Sequence, residues 1–506
     1  MGLYDFTFYD LINRNALTFG SHNCWIEADD GRHLTFAEYK QRVDLLAGGL
    51  AHAGIEKGDR VGVLGKNSLE FFLVYGAAAR LGAIVLPVNW RLSADEVCYN
   101  LNDCQAKIVL ADAEFQHILD SKKDELPTIN ACYNLKNDFG DGLKFNSLLE
   151  RGSQVPPVDV ASADGFVIIH TAAVAGRPRG ALLSHGNILC ADMHFISCMG
   201  FTPQDMNLNL LPLFHVAGLF MVTSTFHAGG SSLNISKFEA KEAAKLIREK
   251  GATVFFDFPP ILDSIVKAAA EEDIDISSLR AIVGLGTPEV IEQFQSVSGG
   301  SYYAMYGQTE TSCLATIGKY NDRPGSAGKV IMLGDVQLVD EHDQPVAVGE
   351  VGEITVKGPM VFLGYWGLPD DNAYTFREGW HHTGDLGRFD SDGFLFYAGR
   401  KAEKELIKPG GENVYPAEVE KVILQHPAVA QTVVIGVPDP KWKEGIKAVC
   451  QLHEGENLTA AELIAFVGER IARFKKPQYV EFVSELPLAK DGSPDRSAVK
   501  SLYGKV

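Results

Sequence analysis

Between residues 34 and 89 the hydrophobic period of the chain switches repeatedly, and this alternation restricts the fold more than any other feature. LTFAEYKQRVDLLAGGLAHAG carries apolar residues at helical spacing, and DRVGVLG is a short apolar run. SLEFFLVYGAAARLG returns to the helical period, and AIVLPVN is again strand-like. A strand buried on both faces loses its polar alternation, so apolar strands interleaved with helices imply parallel sheets covered by helices. The succession continues through AKIVLAD, GFVIIHT, MNLNLLPLF, ATVFFDFPP and LRAIVGLG, each flanked by helical stretches. The expected class is therefore α/β.

At 506 residues the chain exceeds what one hydrophobic core organises, so more than one domain is expected. After about residue 325 the texture turns to short strands and turns, as in KVIMLGDVQLVDEHDQPVAVGEVGEITVKG, which predicts a β-rich subdomain. From residue 419 onward EVEKVILQH, TVVIGVPD, KAVCQLH, AAELIAFVGERIARF and YVEFV predict a compact α+β end domain. The boundaries drawn are a large domain over 1–400 and a small mobile domain over 401–506, with a hinge at 400–408. The charged hinge run RKAEKELIK reads equally as a solvated helix or loop.

A formal charge of −19 and the lack of a Lys/Arg stripe interleaved with aromatics argue against a nucleic-acid partner. The eight cysteines are scattered without a CxxC pair and read as reduced packing thiols. No stretch reaches about 18 uninterrupted apolar residues, and the opening MGLYDFTFYDLINRN lacks a basic targeting region. A cytoplasmic protein without a membrane span is expected, with homodimerisation left open.

Several short stretches carry chemistry. YGQTET (306–311) combines an aromatic ring, a flexible glycine, hydroxyls and a carboxylate, a set that suits a nucleotide; by itself it also reads as a polar turn. GWHHTGDLG (379–387) sets Asp385 in what reads as a glycine-flanked turn, and a carboxylate complements a vicinal diol. PLFHVAG (212–218) offers His215, which on its own reads as a satisfied core histidine. GGENVYPAEVE (410–420) opens on paired glycines, which permit close backbone approach or simply a turn.

Taken in order with GDRVGVLGKN and PVNWRLSADEV, these stretches resemble the adenylate-forming acyl-CoA synthetase-like ligases from about residue 34 to residue 500. The resemblance implies ATP/AMP, CoA and Mg²⁺ as cofactors, and a small carboxylic acid and CoA as partners. It implies that Tyr306 packs on adenine beside Gly307, that Thr309 bonds the α-phosphate, and that Glu310 helps to hold Mg²⁺. Asp385 would accept from the ribose hydroxyls, Arg400 would touch the nucleotide, and Gly286 in LGTP would line the adenine and the acyl pocket. His215 and Gly218 would lie on the acyl and CoA path, and Gly410 and Gly411 beside the pantetheine route.

Three departures from the family pattern stand out. TAAVAGRPRG (171–180) keeps Gly176, Pro178 and Gly180, but alanines and a valine replace the phosphate-loop hydroxyls and glycines, leaving Thr171, and Arg179 replaces the loop lysine. Its backbone N–H groups and the arginines can still attract an anion. In LPLAKDGSPDRSAVK (486–500) Ser493 stands where the family carries its adenylation lysine; Lys490 is the candidate substitute, and Lys500 reads as too far along the final helix. The hinge is two residues longer than the family pattern, which aligns Glu405 with the acidic pivot.

The reading that follows is an AMP-forming acid–CoA ligase working through an acyl-adenylate, with weak ATP activation or a preference for the reverse direction. The alternative is a non-catalytic AMP or acyl-CoA binding protein of the same fold. Apolar and aromatic runs such as LFMVTSTF and FFDFPP suggest a hydrophobic acyl group of medium size, linear, alicyclic or aryl.

Overall fold

The computed structural model describes residues 3, 5–136, 143–153, 155–174, 177–401, 406–409, 412, 414–440, 442–488 and 494–505. Among them, two large sheets carry the chain up to residue 330 and take in Gly364–Tyr365 as well. One has eight strands, in the order Gly364–Tyr365, Arg177–Ser184, Gly165–Val174, Ile84–Pro87, Arg60–Leu64, Ile108–Ala111, Ala131–Asn134, Leu143–Lys144. It is parallel from Gly165–Val174 to Leu143–Lys144, as the helix-strand alternation predicts, with antiparallel pairs on its other side. The second has nine strands around a parallel centre of Ser231–Asn234, Met206–Asn209, Val254–Asp257, Ala281–Gly284 and Ser301–Tyr306.

Helix Leu69–Leu81 is apolar on nearly every side, and only Arg80 escapes full burial. A helix without a polar face must be enclosed. It packs on strands of both sheets and belongs to one continuous core with Trp25, Phe36, Tyr39, Phe166 and Phe226. Its limits follow from the sequence: Ser68 accepts from the Phe71 N–H, and Gly82 ends it at φ +66°.

Two boundaries differ from expectation. The helix expected from residue 34 begins at Phe36, because the Thr35–Glu38 capping box sets its N-terminus while His33–Thr35 pairs as a strand. The strand expected over 206–214 stops at Asn209, and the chain turns into helix Val216–Ala228.

The β-rich stretch is a four-stranded antiparallel sheet of Asp335–Val339, Gly352–Lys357, His381–Phe389 and Leu395–Arg400. Beyond it, Val429–Asp439, Lys443–Leu452 and Tyr479–Val483 form a three-stranded sheet with helices Pro416–Ile423, Ala460–Gly468 and Arg496–Tyr503. This small unit has its own core around Val419, Val434, Ile446 and Leu463. None of the described helices is long and apolar enough to cross a membrane.

The small unit rests on the large one through charge. Arg91 pairs with Glu412 at 2.8 Å, and the Lys475 ammonium lies between Glu96 at 2.6 Å and Glu418 at 2.7 Å. Glu96 also caps its own helix and accepts from the Ala472 N–H.

Candidate active site

A cleft of about 960 Å³ opens where strands Ala281–Gly284 and Ser301–Tyr306 end, with the β-rich sheet on one side and the small unit as its roof. Carboxyl ends of parallel strands are where open α/β sheets leave room for ligands. Thr171, Arg179, His215, Gly286, Tyr306, Gly307, Thr309, Glu310, Asp385 and Arg400, widely spaced in the sequence, all line it. Gly218 does not. It sits inside helix Val216–Ala228, where a Cβ would come within 2.2 Å of the Pro212 carbonyl, so its lack of a side chain serves packing. Gly176, Glu405, Gly410, Gly411, Lys490 and Ser493 lie outside the described residues.

One end of the cleft is organised by Asp385. The residue lies on strand His381–Phe389 opposite Arg400, rather than in the turn expected from its flanking glycines. Its carboxylate accepts from the Tyr306 hydroxyl at 2.8 Å and the Gln308 amide at 2.5 Å, and pairs with the Arg400 guanidinium at 3.0 Å. The Tyr397 ring stacks on Tyr306 with centroids 6.2 Å apart. Behind this strand, buried Glu353 accepts from the Gly384 N–H at 2.9 Å and from the Lys401 ammonium at 2.6 Å. Burial alone would raise its pKa, but hydrogen bonds from His382, Lys401 and Gly384 hold it down to about 2. Gly307 lets the next turn form, since a Cβ there would meet the Cys313 carbonyl at 2.0 Å.

The opposite end holds the Thr171–Gly180 stretch, a hairpin whose strands Gly165–Val174 and Arg177–Ser184 pair Thr171 with Arg179. The Arg179 guanidinium is already held: it donates to Asp371 at 2.7 Å and to the Tyr365 hydroxyl at 3.0 Å, and stacks on the Tyr365 ring. Tyr365 in turn donates to Glu310 at 2.8 Å. The arginine therefore aligns Glu310 through Tyr365. The charge it can offer an incoming phosphate is offset by Asp371.

His215 also lines the cleft. It caps helix Val216–Ala228, its Nδ1 accepting from the Ala217 N–H at 3.3 Å. The ring reaches the cleft surface, yet protein encloses it. Lost hydration, with Lys408 and Arg91 nearby, lowers its pKa to about 4, so it is a neutral imidazole at pH 7. Phe256, Phe258, Leu285, Ile291 and Met305 make the adjoining wall apolar.

Several cleft residues carried no usable sequence signal. Tyr365 and Asp371 come from a surface-like stretch, YWGLPDD, and meet Arg179 only through tertiary packing. Lys408 ends a charged run that reads equally as a hinge or as a solvated helix or loop, and it faces the cleft beside Phe258. Lys500 corrects an expectation: helix Arg496–Tyr503 turns Arg496, Ser497 and Lys500 toward the cleft, so its distance along the chain did not remove it.

Comparison with known proteins places this geometry. The AMP-binding enzyme family matches residues 12–366, and the AMP-binding enzyme C-terminal domain matches residues 418–492. The chain is 32% identical to a feruloyl-CoA synthase from an Amycolatopsis species, covering 94% of this chain and 95% of that protein. It is 33% identical to the indoleacetate–CoA ligase of Aromatoleum aromaticum, covering 94% of each. Among solved structures, the o-succinylbenzoate CoA synthetase of Bacillus subtilis superposes with a TM-score of 0.86 at 27% identity over 97% of both chains. That relative was solved as a double mutant bound to its product analogue.

Proposed function

The chain belongs to the AMP-binding enzyme family, and from that premise we propose that it is an acid–CoA ligase that forms or consumes an acyl-CoA through an acyl-adenylate. In the forward direction a carboxylate oxygen bonds to the α-phosphorus of ATP and pyrophosphate leaves. The CoA sulfur then bonds to the acyl carbon, and AMP leaves with the electrons of the broken C–O bond. The observation that carries the reading is the Asp385 cluster, buried and held by three partners, in one cleft with a neutral His215 and an apolar wall.

In this assignment Asp385 takes the ribose hydroxyls, exchanging internal donors for ligand donors, and Arg400 keeps the carboxylate ionised. Tyr306 and Gly307 border the adenine, and Thr309 faces the α-phosphate. Gly286, whose N–H donates to the Tyr302 hydroxyl, shapes the wall between adenine and acyl group. Neutral His215, whose Nδ1 accepts from the Ala217 N–H and whose proton therefore sits on Nε2, flanks the acyl carbon as a hydrogen-bond donor, and the thiol proton passes to the departing AMP or to solvent. Gly410 and Gly411 remain assigned to the pantetheine route, and Gly176 and Lys490 to the phosphates, on the resemblance alone.

Glu310 fits a hard cation: Tyr365 holds one oxygen, and the other has no hydrogen bond among the described residues. Mg²⁺ bound there would neutralise phosphate charge. Glu310 itself is positioned before any ligand arrives, because the Arg179–Tyr365 pair fixes its direction.

We divide the chain at Arg400, after the last strand of the β-rich sheet. Support comes from the separate core of the small unit and the charged contacts that join it to the large one. A match extending over both units to a relative bound to its product analogue supports reading this arrangement as the thiol-transfer one. A cytoplasmic location belongs to the same reading, because both cosubstrates are cytoplasmic metabolites. Arg179, committed to Asp371, favours the version with weak activation by ATP.

Ferulate, indoleacetate and palmitate, each supplied with ATP, Mg²⁺ and CoA, should yield at least one thioester with AMP by mass spectrometry. AMP binding without any thioester in either direction would leave the non-catalytic binding reading instead. Fast ATP–pyrophosphate exchange by the wild-type protein would remove the weak-activation version.

A further inference from the structure

Away from the cleft wall, the fold gathers a carboxylate, a thiol and an imidazole at one point. Helix Ala94–Asp103 ends in Asp103, Cys104 follows it, and His170 comes from strand Gly165–Val174 of the hairpin. Asp103 Oδ2 lies 3.0 Å from His170 Nε2 and 3.9 Å from Cys104 Sγ, and the three atoms all fall within 4.8 Å of one another. His170 stands 67 residues from Asp103 along the chain, so no spacing in the sequence announces the group.

A second cluster of ligand-type atoms, Asp343, Glu353 and His382, is already neutralised, because Arg377 pairs with both carboxylates and Lys401 with Glu353. The hairpin cluster differs: among the described residues Asp103 pairs with no lysine or arginine. Arg60, the cation that acts on Cys104, is taken up by the Cys104 and Gln105 carbonyls and by the Trp366 ring. Cys104 is fully buried and the His170 side chain is 7% exposed, while that of Asp103 is 20% exposed and leaves a way in from solvent. Gly180 pairs with His170 across the hairpin. A Cβ there would lie 3.6 Å from both Cys104 Sγ and His170 Nε2 and only 2.7 Å from Ile168, so no side chain can stand beside the two donors. Tyr99 steadies the junction, donating to the Pro178 carbonyl at 3.1 Å and meeting the His170 ring edge-on.

Sulfur, imidazole nitrogen and carboxylate oxygen together suit Zn²⁺, which takes three protein ligands and one water in a tetrahedron, whereas Mg²⁺ and Ca²⁺ want oxygens alone. Tetrahedral bonds of about 2.0 to 2.3 Å set donors roughly 3.3 to 3.8 Å apart, within a few tenths of an ångström of the two separations found here. We propose that Asp103, Cys104 and His170 form a binding site for a thiophilic divalent cation of the zinc type, at the base of the hairpin and separate from the oxygen site at Glu310. As the ion binds, the Cys104 sulfur bonds to it and the thiol proton goes to solvent. His170 binds through Nε2 with its ring proton on Nδ1, Asp103 binds through Oδ2, and no oxidation state changes. Burial and the Asp103 carboxylate push the Cys104 thiol up, so without an ion the sulfur keeps its proton; the bound cation supplies the charge that makes a thiolate stable there. The ion joins the end of helix Ala94–Asp103 to the residue preceding Thr171, so occupancy fixes the base of the hairpin.

The test uses the full-length protein, reduced and stripped of metal, titrated with Co²⁺ as a spectroscopic stand-in and then with Zn²⁺. Wild type should bind one Co²⁺ per chain with a thiolate-to-cobalt charge-transfer band that a large excess of Mg²⁺ does not remove. Zn²⁺ should displace the band and raise the thermal midpoint, since it binds the folded chain. Cys104→Ser should abolish the band, and His170→Gln should weaken Co²⁺ binding at least roughly 10- to 100-fold, the cost of losing even a group behind a ligand. Cys190→Ser, which removes the Cys190–His194 contact at 3.8 Å, should change neither readout. The site is overturned by wild type that shows no charge-transfer band, by a band that survives in folded Cys104→Ser, or by one lost in Cys190→Ser. Should Cys104→Ser fail to fold, His170→Gln decides alone, and wild-type Co²⁺ affinity in that variant overturns the site. Binding is read without substrate, so the outcome is independent of the ligase reading.

Discussion

The two ends of the cleft are built on opposite principles. At the Asp385 end the buried carboxylates are held by several partners: Asp385 by Tyr306, Gln308 and Arg400, and behind its strand Glu353 by Gly384 and Lys401. At the hairpin end, the sequence runs through alanines and a valine, and the buried Arg179 is turned inward to Asp371 and Tyr365. The difference teaches where specificity for the nucleotide resides. A preorganised acceptor costs little to reuse for a ligand, whereas an arginine already neutralised must lose an internal ion pair before it helps a phosphate.

Mutation can break this contrast most sharply at Asp385. Asp385→Ala removes the acceptor proposed for the ribose and leaves the Arg400 guanidinium without its carboxylate, so AMP affinity measured by calorimetry should fall at least ~100-fold. Retained AMP affinity would mean that the nucleotide lies elsewhere in the cleft.

The hairpin end predicts a smaller change of opposite sign. Asp371→Asn should release Arg179 and strengthen ATP binding by roughly threefold to tenfold while leaving AMP affinity unchanged, because only the longer nucleotide reaches that end. ATP affinity that falls in Asp371→Asn would show that the pair positions Arg179 for phosphate instead of withholding it.

A third change concerns the roof. Glu96→Gln keeps a helix cap but weakens the bond to Lys475, so thiol transfer in single-turnover assays should slow by roughly threefold to tenfold, with AMP affinity unaffected. The smallest expected effect is on acid stability. His215 is neutral in the folded protein down to about pH 4, whereas an unfolded histidine takes up its proton near pH 6.5. The unfolded state therefore binds more protons between those values, and stability falls as pH drops from about 6.5 to about 4. His215→Asn should lessen the slope of denaturant midpoint against pH in that window.

Much of this could be read from residues alone, for identifiable reasons. The alternation between residues 34 and 89 foretold parallel sheets, because a buried helix and a buried strand impose different periods. Ten of the predicted site residues line one cleft, since short motifs at strand ends carry their own backbone geometry with them. Flanking glycines predict a turn at Asp385, yet pairing with Arg400 draws it into a strand. That Lys408 and Lys500 line the cleft is not legible in the sequence, because distance along the chain and local charge say nothing about which face the folded chain presents.

The sequence by itself determined the α/β class, the family and most of the residues that meet in one cleft, because these depend on periodicity and on local motifs. Which cations are available to a ligand was decided only by the tertiary structure. A lysine or arginine carries the same charge wherever it stands, but whether that charge is cancelled depends on partners hundreds of residues away. Asp371 meets Arg179 192 residues along the chain, and Glu96 meets Lys475 across 379, so folding neutralises those two and leaves Lys408 facing the cleft.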